Sequence, residues 1–174
     1  MTLILGIDPG SRVTGWGLIR QTGSRNEFID CGCLWVGEKE EDVTVRLRDI
    51  YAGIQQVIAK HAPAEAAIEK VFMGKSADSA LKLGQARGVA MVAAVNAGLP
   101  LAEYSAKQVK QAVVGKGSAE KFQVQQMVKM LLRLPEVPPA DAADALAVAI
   151  CHANTRTSLI RLAGASSARR GRAR

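Results

Sequence analysis

The spacing of apolar positions changes repeatedly along the chain, and each change marks an element. Leu3 to Asp8 is a short, strongly apolar run closed by Pro9, Gly10 and Ser11, which reads as a strand ending in a turn. Gly15 to Ile19 and Phe28 to Val36 predict two further strands, giving an antiparallel meander. The acidic run Glu38-Lys39-Glu40-Glu41-Asp42 reads as a solvated loop. From Thr44 the spacing becomes helical, with Leu47, Ile50, Tyr51, Ile54, Val57 and Ile58 on one face. Ala66 to Val71 predicts a strand, Ser76 to Ala97 a long helix and Leu101 to Tyr104 a short strand. Ser105-Ala106-Lys107-Gln108 has capping-box spacing and opens a helix to about Val114. A helix from Ser118 to Leu132 is broken by Pro135, Pro138 and Pro139, and a last helix follows from Ala140 to about Ala153. Beyond Gly164, small and basic residues predict a disordered tail.

Three strands, a helix, a strand, a helix, a strand and then helices specify an α/β fold. The expectation is a mixed five-stranded sheet flanked by helices on both faces. One domain over residues 1–154 is expected, followed by a basic, disordered tail over 155–174.

A chain of 174 residues with 48% apolar content is long enough to bury a sizeable core. No apolar run approaches the roughly 20 residues of a spanning helix, and no secretory signal is visible, so a cytoplasmic protein with no membrane association is expected. Cys31, Cys33 and Cys151 make an odd count, which fits free thiols in a reducing compartment. Cys31 and Cys33, two apart in a strand, share a face and read as small hydrophobes rather than metal ligands. The net charge of +7 is uneven. From His152 onward there are six arginines and no acid. Lys107, Lys110, Lys116, Lys121, Lys129 and Arg133 surround a single acid, Glu120. Such a distribution suits a polyanionic partner, although a solvated surface would look the same.

Four acids stand out. Asp8 ends an apolar strand, where a charge is expensive unless it has a use, and Glu69 stands likewise after Ala66-Ala67-Ile68. If the two strands are parallel neighbours, both acids reach the same edge of the sheet, where open α/β folds place their sites. Asp141 and Asp144 lie three apart at the start of the last helix, on one face, where the helix N-terminus favours their ionised forms. Close carboxylates need a counter-ion, and a hard divalent cation with oxygen ligands, Mg²⁺ or Mn²⁺, supplies it. Two such ions could activate water and stabilise the leaving oxygen of a phosphodiester. Taken singly, each acid has an ordinary account as a turn former, a cap or an exposed charge. Elsewhere, Gly84 and Gly88 share a helix face that could meet the sheet or a second subunit, and His61 and His152 read as structural.

The segments GIDPGSRVTGWG (Gly6 to Gly17), IEKVFMGKSADSALKLGQARG (Ile68 to Gly88), VKQAVVGKGSAEK (Val109 to Lys121) and ADAADALAVAI (Ala140 to Ile150) closely resemble the RuvC family of bacterial Holliday-junction resolvases. The likeness runs in order from about Ile4 to Cys151; Gly23 to Asp42 and the residues after His152 carry no such match. It implies an RNase H-like fold, a homodimer, and Mg²⁺-dependent paired nicking of four-way junction DNA, with two ions per subunit. It also implies partnership with the branch-migration proteins RuvA and RuvB. Asp8, Glu69, Asp141 and Asp144 match the family's catalytic, metal-binding acids. Phe72 matches its junction-inserting aromatic, and Lys110 and Lys121 its DNA-contacting lysines.

Two other readings stay open at this point. Gly6-Ile7-Asp8-Pro9-Gly10 also resembles the first phosphate loop of actin-like ATPases, although 174 residues leave room for only one of the two lobes such an enzyme needs. A junction-binding module with merely structural acids is the other.

Overall fold

The structure, a computed structural model, describes residues 1–36, 42–70 and 76–170, with side chains as far as Leu162. Most of the acidic run expected to be a loop, and the loop carrying Phe72, lie outside the described residues.

Three strands form the meander: β1 (Thr2–Asp8), β2 (Val13–Thr22) and β3 (Arg25–Trp35). Then come α1 (Val43–His61), β4 (Glu65–Lys70), α2 (Ala77–Asn96), β5 (Leu101–Ser105), α3 (Ala106–Val114), α4 (Lys121–Leu132) and α5 (Ala140–Arg170). The sheet order is β3-β2-β1-β4-β5. The meander pairs antiparallel, while β1–β4 and β4–β5 are parallel, which is the expected mixed five-stranded sheet.

Alternation along the strands sends side chains to two cores. Ile4, Ile19 and Ala67 pack toward α3, α4 and α5. Leu5, Ile7, Leu18, Ala66 and Ile68 pack toward α1 and α2, where Ile50, Ile54, Val57 and Ile58 of the expected helical face are buried. Each fully buried Ile or Leu contributes about 1.5–3 kcal/mol relative to an exposed one. These two layers fix the sheet from both sides.

Local signals explain the helix starts. Ser105 and Gln108 form the expected capping box, with Ser105 N–H donating to Gln108 Oε1 at 2.9 Å and Gln108 N–H to Ser105 Oγ at 3.3 Å. The helix expected from Ser118 begins instead at Lys121, because Glu120 and Gln123 form a second capping box. Strands β2 and β3 outrun their apolar patterns, since the ladder continues through polar residues to Thr22 opposite Arg25 at the hairpin end.

The last helix is the main departure. Expected to end near Ala153, it runs to Arg170, through most of the segment expected to be a disordered tail. Side-chain ties hold its extension. Gln21 Nε2 donates to Ala153 O at 2.7 Å and to Thr157 Oγ1 at 2.9 Å, and Arg156 Nε pairs with Glu65 Oε1 at 3.0 Å. His152 bridges Tyr104 Oη (2.9 Å) and Glu65 Oε2 (2.7 Å), a structural role as expected. None of the described helices is long and apolar enough to cross a membrane.

Candidate metal centre

The register pair Ile7 with Ile68 closes the β1–β4 ladder, so Asp8 and Glu69 are the next residues of two parallel neighbours at one sheet edge. Alternation decides where they point. Ile4 faces α5 and Leu5 and Ile7 face away, which turns Asp8 toward α5. Ala67 faces α5 between Ala66 and Ile68, which turns Glu69 the same way. From the other side α5 brings Asp141 in its first turn and Asp144 three residues on.

What lets α5 come so close is the absence of side chains beneath it. A Cβ added at Gly15, the residue opposite Asp8 on β2, would run into the main-chain oxygen of Asp141. One at Gly6 would run into that of Ala145. Backbone therefore lies on backbone, and α5 answers with Ala142, Ala143, Ala145 and Ala149, all fully buried.

One carboxylate oxygen from each of Asp8, Asp141 and Asp144 lies within 4.8 Å of the others. Glu69 stands outside that tight trio but within its field. Asp8 is pushed up to about 8, first by burial, then by the charges of Glu69 and Asp144, with Lys121 opposing. Burial and then Asp144 hold Glu69 above the usual carboxylate range, with Lys110 and Lys121 opposing. Asp144 is raised too, chiefly by burial, while its hydrogen bond and ion pair with Lys121 pull it back. Lys121 Nζ lies 2.8 Å from Asp144 Oδ2 and 3.5 Å from Asp141 Oδ1. Burial lowers its own affinity for a proton, but the surrounding carboxylates outweigh that and leave it raised.

This donor set fits a hard divalent cation. It is all oxygen, it converges from β1 and α5 with β4 alongside, and its Asp8, Glu69 and Asp144 resist ionising without a counter-charge. A hollow of about 460 Å³ lined by Arg25, Asn26, Arg133 and Asn154 shares no residue with it. The acids instead lie at the sheet edge, where β1 and β4 end beside the first turn of α5.

The four acids anticipated from sequence thus share one neighbourhood, with Lys110 and Lys121 close enough to act on them. Phe72 lies outside the described residues. Sequence reading missed Arg87, whose Nε donates to Glu69 O at 3.1 Å. Cys33, read from sequence as a small hydrophobe rather than a metal ligand, lies with its thiol against the main chain of Ala142 and within the fields of Asp141 and Asp8. The one available signal was Cys33's expected strand position, since it pairs with Gly15. Gly84 and Gly88 do not pack on the chain's own sheet: among the described residues, nothing beyond α2's own backbone lies within 4 Å of a Cβ built at either.

Known proteins resemble the chain over nearly its whole length. The family model described as "Crossover junction endodeoxyribonuclease RuvC" matches residues 4–152. Crossover junction endodeoxyribonuclease RuvC of Photobacterium profundum is 62% identical over 175 residues, covering 100% of both chains. The protein of that name from Vibrio parahaemolyticus is 61% identical over the same span. Among solved structures, Thermus thermophilus RuvC in complex with a Holliday junction substrate superposes with a TM-score of 0.84 at 34% identity, covering 91% of this chain and 96% of that one. The yeast mitochondrial Holliday junction resolvase, at 14% identity and a TM-score of 0.62, shares the fold. With its α/β architecture, its acid cluster and these matches together, the chain belongs to the RuvC family of crossover junction endodeoxyribonucleases.

Proposed function

We propose that the protein resolves Holliday junctions in DNA recombination and repair, cutting four-way junction DNA by paired, symmetric nicks at a divalent-metal site. The observation that carries this reading is the convergence of Asp8, Asp141 and Asp144 within 4.8 Å, with Asp8 pushed up to about 8. Asp8, Glu69, Asp141 and Asp144 would hold Mg²⁺, or Mn²⁺ in its place, with two ions per subunit. When bound, such ions supply an activated water and a counter-charge for the leaving oxygen of a phosphodiester. The chain's own residues do the rest. The helix N-terminus at Asp141 favours carboxylates in the first turn of α5. Lys110 and Lys121, beside the acids, would take the phosphates flanking the cut strand. Phe72, three residues past Glu69 by sequence, is assigned the role of an apolar wedge that unstacks bases at the junction.

A twofold substrate asks for two sites, and α2 offers a means. Leu81 (68% exposed), Gly84, Gly88, Val92 (51%) and Val95 (58%) follow one another at three- and four-residue spacing, and among the described residues nothing beyond α2's own backbone lies within 4 Å of a Cβ at either glycine. A self-complementary apolar stripe of this kind suits an isologous dimer. Homodimerisation through α2, action in the cytoplasm, and cooperation with RuvA and RuvB complete the reading, the last two resting on family membership.

Incubation of the protein with a labelled four-way junction and Mg²⁺ tests it. Symmetric nicks on opposing strands are expected, abolished by EDTA. ATP turnover without nicking would favour the actin-like ATPase reading, and binding without nicking a structural junction binder.

A further inference from the structure

Glu69 presents its carboxylate to the acids from one face of the sheet, and its main chain is gripped from the other. Arg87, on α2, donates its Nε–H to Glu69 O at 3.1 Å, and its terminal nitrogen pairs with Glu103 Oε2. Glu103 stands opposite Ile68 in the β4–β5 register, so one guanidinium spans the ends of two parallel strands. The side chain is only 19% exposed. A planar guanidinium presents its donors in a fixed fork, so holding two acceptors restrains both strand ends at once.

The restraint falls where it is needed. Glu69 is the residue just past the Ile7–Ile68 pair that closes the β1–β4 ladder, so a shift of this strand end away from α5 would carry its carboxylate out of the cluster. α2 packs on the face away from α5, so Arg87 resists that movement without occupying any carboxylate oxygen of Glu69. We propose that Arg87 is a positioning residue for the metal site, fixing the β4 terminus so that Glu69 stays within reach of an ion shared with Asp8 and Asp144. This rests on the reading of Glu69 as a metal ligand.

The test compares Arg87→Gln, Arg87→Lys, Glu103→Gln and Glu69→Gln in the full chain. Three quantities are measured: Mn²⁺ affinity by calorimetry without DNA, junction affinity in EDTA, and the nicking rate with Mg²⁺. Groups that orient metal ligands typically contribute about 10–100-fold to metal affinity or activity. Arg87→Gln is expected to lose that much in Mn²⁺ affinity and nicking, with junction affinity in EDTA changed by less than about twofold. Arg87→Lys, which keeps the charge but not the fork, should fall between it and the native protein. Glu103→Gln leaves the bond to Glu69 O and should lose less than Arg87→Gln. Native Mn²⁺ affinity and nicking in Arg87→Gln overturn the proposal. So does a loss that vanishes once the assay is cooled well below the variant's melting temperature, which would make Arg87 a fold clasp only. If Arg87→Gln fails to fold, native Mn²⁺ affinity in Arg87→Lys is the overturning result. Glu69→Gln separates the two layers. Its keeping both Mn²⁺ affinity and nicking removes the ligand reading itself, whereas its losing both while Arg87→Gln loses neither removes only the positioning role.

Discussion

Lys121 holds its ammonium 2.8 Å from the carboxylate of Asp144, so the acid cluster carries a counter-ion drawn from its own chain. An incoming divalent cation must compete with that ammonium. Lys121→Gln should therefore melt lower than the native protein without metal at pH 7.5, by less than about 1 kcal/mol because the side chain is 54% exposed. Added Mg²⁺ should raise its melting temperature further than it raises that of the native protein, while junction nicking falls by about tenfold or more for want of a phosphate contact. Thermal melts with and without Mg²⁺ check this; a smaller Mg²⁺ response in the variant would contradict it.

Asp8 sets a pH dependence whose sign can be worked out. Its carboxyl is raised from 3.8 to about 8 in the folded chain, so between those values the folded state holds a proton that the unfolded state has released. Stability of the metal-free protein contributed by this group is complete below about pH 4 and declines as pH rises toward 8. Asp8→Asn removes the decline and should be more stable than the native protein at pH 7.5 in EDTA, by about 1–3 kcal/mol. The same variant should not nick junctions yet should still bind them. Melting curves from pH 5 to 8 in EDTA, set beside junction cleavage, decide it. Identical pH profiles for the two proteins would remove Asp8 as the cause.

Gly15→Ala addresses the packing beneath Asp141. The new methyl group would meet the main-chain oxygen of Asp141, so β2 and the first turn of α5 must move apart. Overpacking of this kind destabilises by about 1–3 kcal/mol. A displacement near 1 Å at a reacting centre can lower the rate about a hundredfold, so activity should fall far more than stability does. Cleavage measured at a temperature where both proteins are fully folded is the check.

Gly88→Leu examines α2. Among the described residues nothing beyond α2's own backbone lies near the position, so the subunit should fold with little change in melting temperature. Sedimentation should show a monomer, and paired nicking should be lost. An intact dimer would place the contact elsewhere.

Much of this was legible in the sequence because apolar runs and helical period carry it. The sequence showed Asp8 and Glu69 closing two apolar strands at one sheet edge, and the period of α1 in Ile50, Ile54, Val57 and Ile58; the face the two acids share was hidden, because Ile4, Leu5 and Ile7 and Ala66, Ala67 and Ile68 are apolar toward both cores. Arg87 was not legible, because its partner at Glu69 is a main-chain oxygen, and any residue there would offer the same one. The length of α5 was hidden for a related reason. Its extension is held by Gln21, far away in sequence, and by threonine hydroxyls turned back on the helix, with Thr155 Oγ1 donating to Cys151 O at 2.9 Å. Beyond Gly164 composition showed only small and basic residues, with no face to bury.

The glycines under α5 also bear on how the protein can change over generations. Gly6 and Gly15 bring no side chain to the cluster, and neither period nor composition singles them out. Yet each sets the height at which a helix carrying two acids rides over the sheet, Gly6 on the strand that carries a third acid and Gly15 on the strand beside it. A library of single substitutions should therefore be intolerant at these two positions to every replacement, alanine included, as it is at the acids themselves. Gly84, with open space around it, should accept many residues wherever a second subunit is not required. The precision of the site depends on matter left out, and drift at those two positions has only one direction, toward failure.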